Sequence, residues 1–537
     1  MKLKNLFSVA AMGLMMVSCS SDEPAADNSG TTSGPGYLSV KINLPSTTGS
    51  RAVAYEEGLA NEYSVNDATM YVWKKAGTTE DDYTFVTSAD LGKPVPEHPT
   101  PTEDVYSDFT VLAELDQLLK ASDGEYYALV LLNIKTGDFT VSAPAVGTTY
   151  GAWNSAKDVT VSVNFKPQFF MTNSAIYNTA DPRPNTLVEI DVSKIQPTKE
   201  AAQAAGNGVE VYVERGVAKV TVKQPDTKYD VTGIAYDGDA VEIKSWTLDV
   251  TNKKTFTVHK TKGLKDIFSN IWQTPRFIGT HRVYWGIDPN YSDCAPETED
   301  DIAIHFNRAA EANYKTAFDE ANPQYCLENT FDINHMLQGQ TTRIVFKAQY
   351  TPQGITKGQD FYMVKGEIYS LEDLRTYIKA RAMQAHTLAD TEISVAIPEG
   401  IEAGIVELTQ DFFHVTKVGV NVDDAFVGKV EDLIPGDILC YKGGINYYAA
   451  RIKHFGDAET PWTFGEPTYD NNNGKYLGRY GVLRNNWYEL SVTSVSSPGY
   501  PVLPPIDPDS PDDENKYYLQ TQCHILKWAK RTQEIEL

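Results

Sequence analysis

The chain has 537 residues, enough for two to four domains with sizeable cores. Its 47 basic and 72 acidic residues leave a net charge of −25, which argues against a nucleic-acid surface and against anionic polymers as partners. A folded, soluble, multidomain protein is expected.

In chain order, Lys2 and Lys4 precede an apolar run from Leu6 to Val17 and the polar stretch Ser18-Cys19-Ser20-Ser21. That is the charged start and short apolar core of a secretory signal, too short to span a bilayer. Cys19 behind a small residue resembles the lipobox of bacterial lipoproteins, so residues 1–18 read as a lipoprotein signal peptide, with a plain signal peptide as the alternative. Lipidation would tether the precursor to a membrane. Residues 25–35 form a flexible tether of small polar residues.

From Gly36 to Pro45, Leu38, Val40, Ile42 and Leu44 alternate with Ser39, Lys41 and Asn43, the period of a strand with one buried face. A turn-like stretch containing Arg51 and Ala52 follows. A cut after Arg51 would remove this strand and leave an open groove for a strand of another copy. Further strands are expected at Ala68–Trp73, Tyr83–Val86, Tyr126–Asn133, Val159–Phe165, Val209–Val213 and Val217–Val222. Helices are expected at Val111–Ala121 and Thr198–Ala205.

After about Asp226 the strand pattern restarts at Val241–Val250 and Thr255–His259. It returns at Thr342–Tyr350, Asp360–Tyr369, Ile393–Ile397, Val406–Val415, Tyr447–His454 and Asn486–Val495. Leu371–Met383 reads as a helix, with Leu374, Ile378 and Ala382 in register and Glu372 and Asp373 in its first turn. These elements define a mainly β chain of two tandem antiparallel β-sandwich domains, 52–225 and 226–500. Residues 501–516, rich in proline and aspartate, read as a semi-rigid solvated spacer. Residues 517–537 then read as a C-terminal strand. Tyr517, Leu519, Cys523 and Ile525 share one parity, Trp528 takes the other, and Ile535 and Leu537 return to the first, which implies a bulge or kink.

No nucleophile elbow, zinc-protease pattern, phosphate loop or dinucleotide fingerprint is present, and the nine histidines lack ligand spacing. No enzyme activity, cofactor or metal is expected. Cys294, Cys326, Cys440 and Cys523 could form disulfides or remain separate buried thiols.

Several stretches together resemble one family, the type V fimbrial (fimbrillin) subunits of Bacteroidales, and especially the short-fimbria shaft subunits of Porphyromonas. They are Ser18-Cys19, the first strand with Gly49-Ser50-Arg51-Ala52, residues 213–220 (VERGVAKV), 345–352 (VFKAQYTP), Tyr447-Tyr448-Ala449, 482–488 (VLRNNWY), the Pro/Asp spacer and Ile525-Leu526-Lys527-Trp528. The resemblance implies transthyretin-like sandwiches and an outer-membrane-directed lipoprotein precursor lipidated, for example with palmitate, at Cys19. Residues 19–51 would be a propeptide released at Arg51-Ala52 by an Arg-specific protease. Residues 517–537 would be a donor strand for the next copy in a head-to-tail cell-surface polymer, with anchor and tip subunits as further partners and host or bacterial surface receptors as targets of adhesion. The alternatives are an anchor or tip subunit, or a surface lipoprotein that binds glycans through exposed Tyr and Trp.

Overall fold

The computed structural model describes residues 34–45, 59, 62, 64–94, 105–135, 139–158, 169–176, 185–223, 226–261, 285–290, 296–332, 334–455, 460, 476–512, 521–522 and 529–536. The protein is mainly β, with 38% strand and 19% helix.

The first half builds one eight-stranded sheet. Its strands are β1 (Gly36–Pro45), β2 (Ala68–Lys74), β3 (Thr84–Gly92), β4 (Val105–Leu115), β5 (Tyr126–Leu132), β6 (Met171–Asn173) and β7 (Asn207–Arg215), with Val188–Glu189 alongside β5. The order is β3-β2-β5-β6-β7-β1-β4. Its two outer strands approach each other, and the Thr87 hydroxyl of β3 donates to Asp116, just past the end of β4, at 3.2 Å. The sheet therefore rolls around a core that includes Leu38, Val40, Ile42, Val72, Val130, Val211 and Leu115. Residues 199–205 form α1 (Lys199–Ala205), capped by the Thr198 side chain as expected. The helix expected over Val111–Ala121 is not formed: Val111–Leu115 belongs to β4, because Val111 pairs with Val40 of β1 and ladder and core override local propensity.

The chain leaves this sheet at Gly216, upstream of the division at 225 read from the sequence. The second half contains β8 (Val217–Val222), β9 (Ala240–Asp249), β10 (Gln324–Leu327), β11 (Arg343–Thr351), β12 (Ile445–Arg451), β13 (Asn486–Ser494), β14 (Thr521–Gln522) and β15 (Ala529–Glu536). One sheet runs β10-β8-β13-β15-β14; the other joins Lys228–Asp230, β9, β11 and β12. Val220, Leu490 and Tyr488 of the first meet Trp246, Phe346 and Ala450 of the second, so the two sheets form a sandwich. Most pairs are antiparallel, but β1–β7, β8–β13 and β13–β15 run parallel.

β11 and β12 pair directly, yet residues 352–444 lie between them. This insertion has its own core of Leu374, Ile378, Phe412, Phe426 and Val430. It carries α2 (Leu371–His386), α3 (Asp424–Glu431) and a four-stranded sheet from Glu367–Tyr369, Phe361–Val364, Ile438–Tyr441 and Gly404–Ile405. The Ser370 hydroxyl caps α2 by accepting from the Asp373 amide, which is where the sequence placed the helix start. Residues 406–415, expected as one strand, instead contain a 3-10 turn and the short strand Phe413–Val415.

Residues 501–512 are not a free spacer. Arg343 donates to the Pro504 carbonyl at 2.7 Å, Thr341 bonds the buried Asp512 at 3.0 Å, and Ile506 packs with Val250, Ile302 and Phe306. Prolines leave their carbonyls available, and here the body of the protein uses them. Cys326 and Cys440 are separate buried thiols; burial pushes them up to about 12 and about 11. Cys294 and Cys523 lie outside the described residues.

Candidate functional site

β1 occupies a slot between β4 and β7. It runs antiparallel to β4 from Gly36↔Leu115 to Pro45↔Val105, and parallel to β7 from Ser39↔Asn207 to Asn43↔Tyr212. Alternation sends Leu38, Val40, Ile42 and Leu44 inward, where at most 1% of each is exposed. A Cβ at residue 208 would lie 2.2 Å from Leu38 Cδ1, so Gly208 is what lets that leucine seat. The outward residues tie down the flanks. Lys41 pairs with Glu210 at 2.9 Å and Asp108 at 3.6 Å, Asn43 donates to Glu210 at 2.9 Å, and Ser39 donates to Asn207 at 3.1 Å. The hydrogen bond between them raises Lys41 and, from the other side, lowers Glu210.

Taking β1 away would leave β4 and β7 roughly 10 Å apart, two strand spacings, each with an unpaired backbone edge. It would also uncover apolar wall residues such as Ala113, Leu115, Val209 and Val211. Burying four such side chains is favourable by on the order of 10 kcal/mol before ordering costs. An extended segment with alternating apolar residues is the ligand this slot is shaped for.

The VERGVAKV and VLRNNWY stretches meet where the rolled sheet abuts the sandwich. Gly216 joins β7 to β8, and a Cβ there would fall 1.8 Å from the Phe170 ring. On either side of it, Arg215 donates to the Glu62 carbonyl and to Asn485, both at 3.0 Å, while Lys219 pairs with the Glu62 carboxylate at 2.8 Å. The Tyr325 hydroxyl bonds the same carboxylate at 2.6 Å, and the Lys219 ammonium lies 3.9 Å from the Trp487 ring centre. Burial pushes Lys219 down, partly countered by Glu62. Beside this cluster, Arg484 pairs with Glu328 at 2.6 Å and donates to the Phe256 carbonyl at 3.0 Å. His259 bridges Glu214 at 3.1 Å and the Trp285 carbonyl at 3.0 Å. Burial raises Glu328, and Arg484 with His259 more than offsets it. Those motifs thus supply the charged side chains that bolt the two halves together.

The structure brings Leu38, Val40, Ile42 and Leu44 together in the slot. Cys19, Arg51 and Ala52 lie outside the described residues, as do Tyr517, Leu519, Cys523, Ile525, Trp528 and Leu537. Ile535 lies in β15, opposite Val492 of β13, so the described part of the C-terminal strand pairs within its own chain. Sequence reading missed Glu62 and the 352–444 insertion. A lone acid in a turn carries no periodic signal, and the insertion's short strands resemble those of the host.

Residues 440–534 match the family model for the major fimbrial subunit protein type IV, fimbrillin, C-terminal region. That match covers the C-terminal part of the chain, well under half of its length. Among solved structures it is similar to a fimbrilin from Porphyromonas gingivalis W83 at 10% identity and a TM-score of 0.37, covering 93% of this chain and 97% of that one. It is also similar to a fimbrial assembly protein from Parabacteroides distasonis at 11% identity and a TM-score of 0.26, covering 59% and 86%. Both overlays are loose, and the likeness to fimbrillin rests on the C-terminal match. No curated protein matches the chain.

Proposed function

We propose that this chain is a fimbrillin-type structural subunit that forms the shaft of a cell-surface fimbria and is assembled by strand exchange. The precursor is exported as a lipoprotein acylated at Cys19, and an Arg-specific protease cuts between Arg51 and Ala52. Loss of β1 opens the slot, and the C-terminal segment of a second copy fills it, head to tail, with anchor and tip subunits closing the ends and the finished fimbria serving adhesion. The observation that supports this reading is the position of β1: an interior strand, the first of the described residues, followed in sequence by a basic site. Tyr517, Leu519, Cys523 and Ile525 repeat the alternation of Leu38, Val40, Ile42 and Leu44, so 517–525 is the segment best suited to the slot. The test is intact mass and N-terminal sequencing of protein sheared from cells. A chain beginning at Ala52 in high-mass assemblies is expected. A chain beginning at acylated Cys19 and running as a monomer would overturn the shaft reading.

A further inference from the structure

We infer a binding cleft for a short neutral glycan where the 352–444 insertion meets its host sandwich. The cleft, about 350 Å³ in volume, lies on the outward face of the β11–β12 sheet. That volume suits a small ligand, and junctions between folding units are where such sites form. Its walls differ in character. One is apolar, made by Ile445 with Pro501, Val502 and Leu503 of the segment crossing the sheet. The other is polar and aromatic: Tyr447 and Tyr314 lie edge to face at 6.4 Å, with the Lys347 ammonium about equally near both rings.

The charges of the polar wall are already matched. Lys347 pairs with Glu311 at 2.5 Å and Lys442 with Asp360 at 2.6 Å. An anion would have to break these pairs, and a purely apolar ligand would desolvate them without replacing water. A pyranose does neither, because its hydroxyls both donate to carboxylates and accept from ammonium groups while its C–H face lies on apolar or aromatic carbon. The chain's net charge of −25 adds long-range repulsion against acidic glycans.

A second observation marks the same place. Among the few large apolar side chains left exposed in the described residues, Val502 (39%) lines the cleft, and the backbone at Gly404 comes close to it, since a Cβ there would lie 3.7 Å from the Val502 side chain. Exposed apolar surface beside a polar cleft marks a surface that is covered in use.

The inference is independent of strand exchange and is read on the full-length monomer. Binding of maltose, cellobiose and lactose is followed by ligand-observed NMR and calorimetry, with sialyllactose and a heparin disaccharide as anionic controls. Saturable binding of at least one neutral sugar is expected. Tyr447→Ala should weaken it by about tenfold or more. Val502→Glu and Val502→Lys, on an exposed side chain that does not support the core, should weaken it without changing the melting temperature. Failure of all three neutral sugars to bind, tighter binding of the anionic controls, or full binding by the Val502 variants would each overturn the proposal. Fimbria formed normally by a Val502→Glu strain that has lost sugar binding would separate this site from assembly.

Discussion

The first and last strands of the described residues are held differently. β1 lies inside its sheet, with ten register pairs to β4, five to β7 and four apolar side chains in the core. β15 lies near the edge of its sheet, with eight parallel pairs to β13 and two pairs to the short β14. Its sequence, AKRTQEIE, offers little apolar surface. Removing β1 would leave a vacancy between two strands of its sheet, whereas β15 has on its outer side only the two-residue β14. A subunit that gives up one strand and lends another needs this asymmetry.

The largest effects separate the two strands outright. Deleting Tyr517–Leu537 should leave secreted, folded monomers and abolish polymers, as read by size-exclusion chromatography and electron microscopy; normal filaments would end the donor-strand reading. Arg51→Ala should trap a monomeric precursor, visible as an unprocessed band, with β1 still seated. Filaments from that variant would place the processing site elsewhere.

Glu62 sharpens the contrast, because it lies just downstream of the proposed cut and is fully buried against Lys219 and Tyr325. Glu62→Gln keeps a polar partner for Tyr325 but leaves a buried ammonium without its counter-charge. It should destabilise precursor and mature chain alike, by on the order of 3 kcal/mol in denaturant titration. Ile42→Ala should cost about 3 kcal/mol in the precursor and nothing in a chain beginning at Ala52. The same change at Ile535 should cost markedly less. Equal losses at Ile42 and Ile535 would erase the distinction between the two strands.

How much of this was legible in the sequence depended on the range of the interactions. β1, β2, β5, β8 and β11 follow from alternation, and α2 from its spacing and the acids Glu372 and Asp373 of its first turn, because those signals are local. β4 was misread over Val111–Ala121 because its partner β1 is distant in sequence. Residues 501–512 were misread as solvated because composition does not reveal that Arg343 and Thr341 hold them. The motif residues Arg215, Lys219 and Arg484 could be recognised by resemblance, but not their task. That task depends on Glu62, Glu328 and Trp487, which the fold alone brings near. The slot was legible as a removable strand; its walls and the glycan cleft were not, since each is assembled from segments far apart in the chain.

The smallest effect tests whether the outward side of β1 contributes to holding it. Lys41 sits between Glu210 and Asp108, all partly exposed, so the pairs add little in water: below about 1 kcal/mol together. Glu210 is held below its ordinary value of 4.5, chiefly by its hydrogen bond to Lys41 and secondarily by that to Asn43. An acid depressed in the folded state stabilises the fold above its unfolded value and loses that contribution as pH falls through the folded value. Precursor stability should therefore show a shallow decline attributable to this site as pH drops below about 4.5, and Lys41→Met should flatten it while leaving the neutral-pH stability nearly unchanged. If β1 leaves with the propeptide as proposed, the mature chain should show no difference between Lys41 and its replacement at any pH. An acid-sensitive difference that survived processing would mean that the strand had not left the slot.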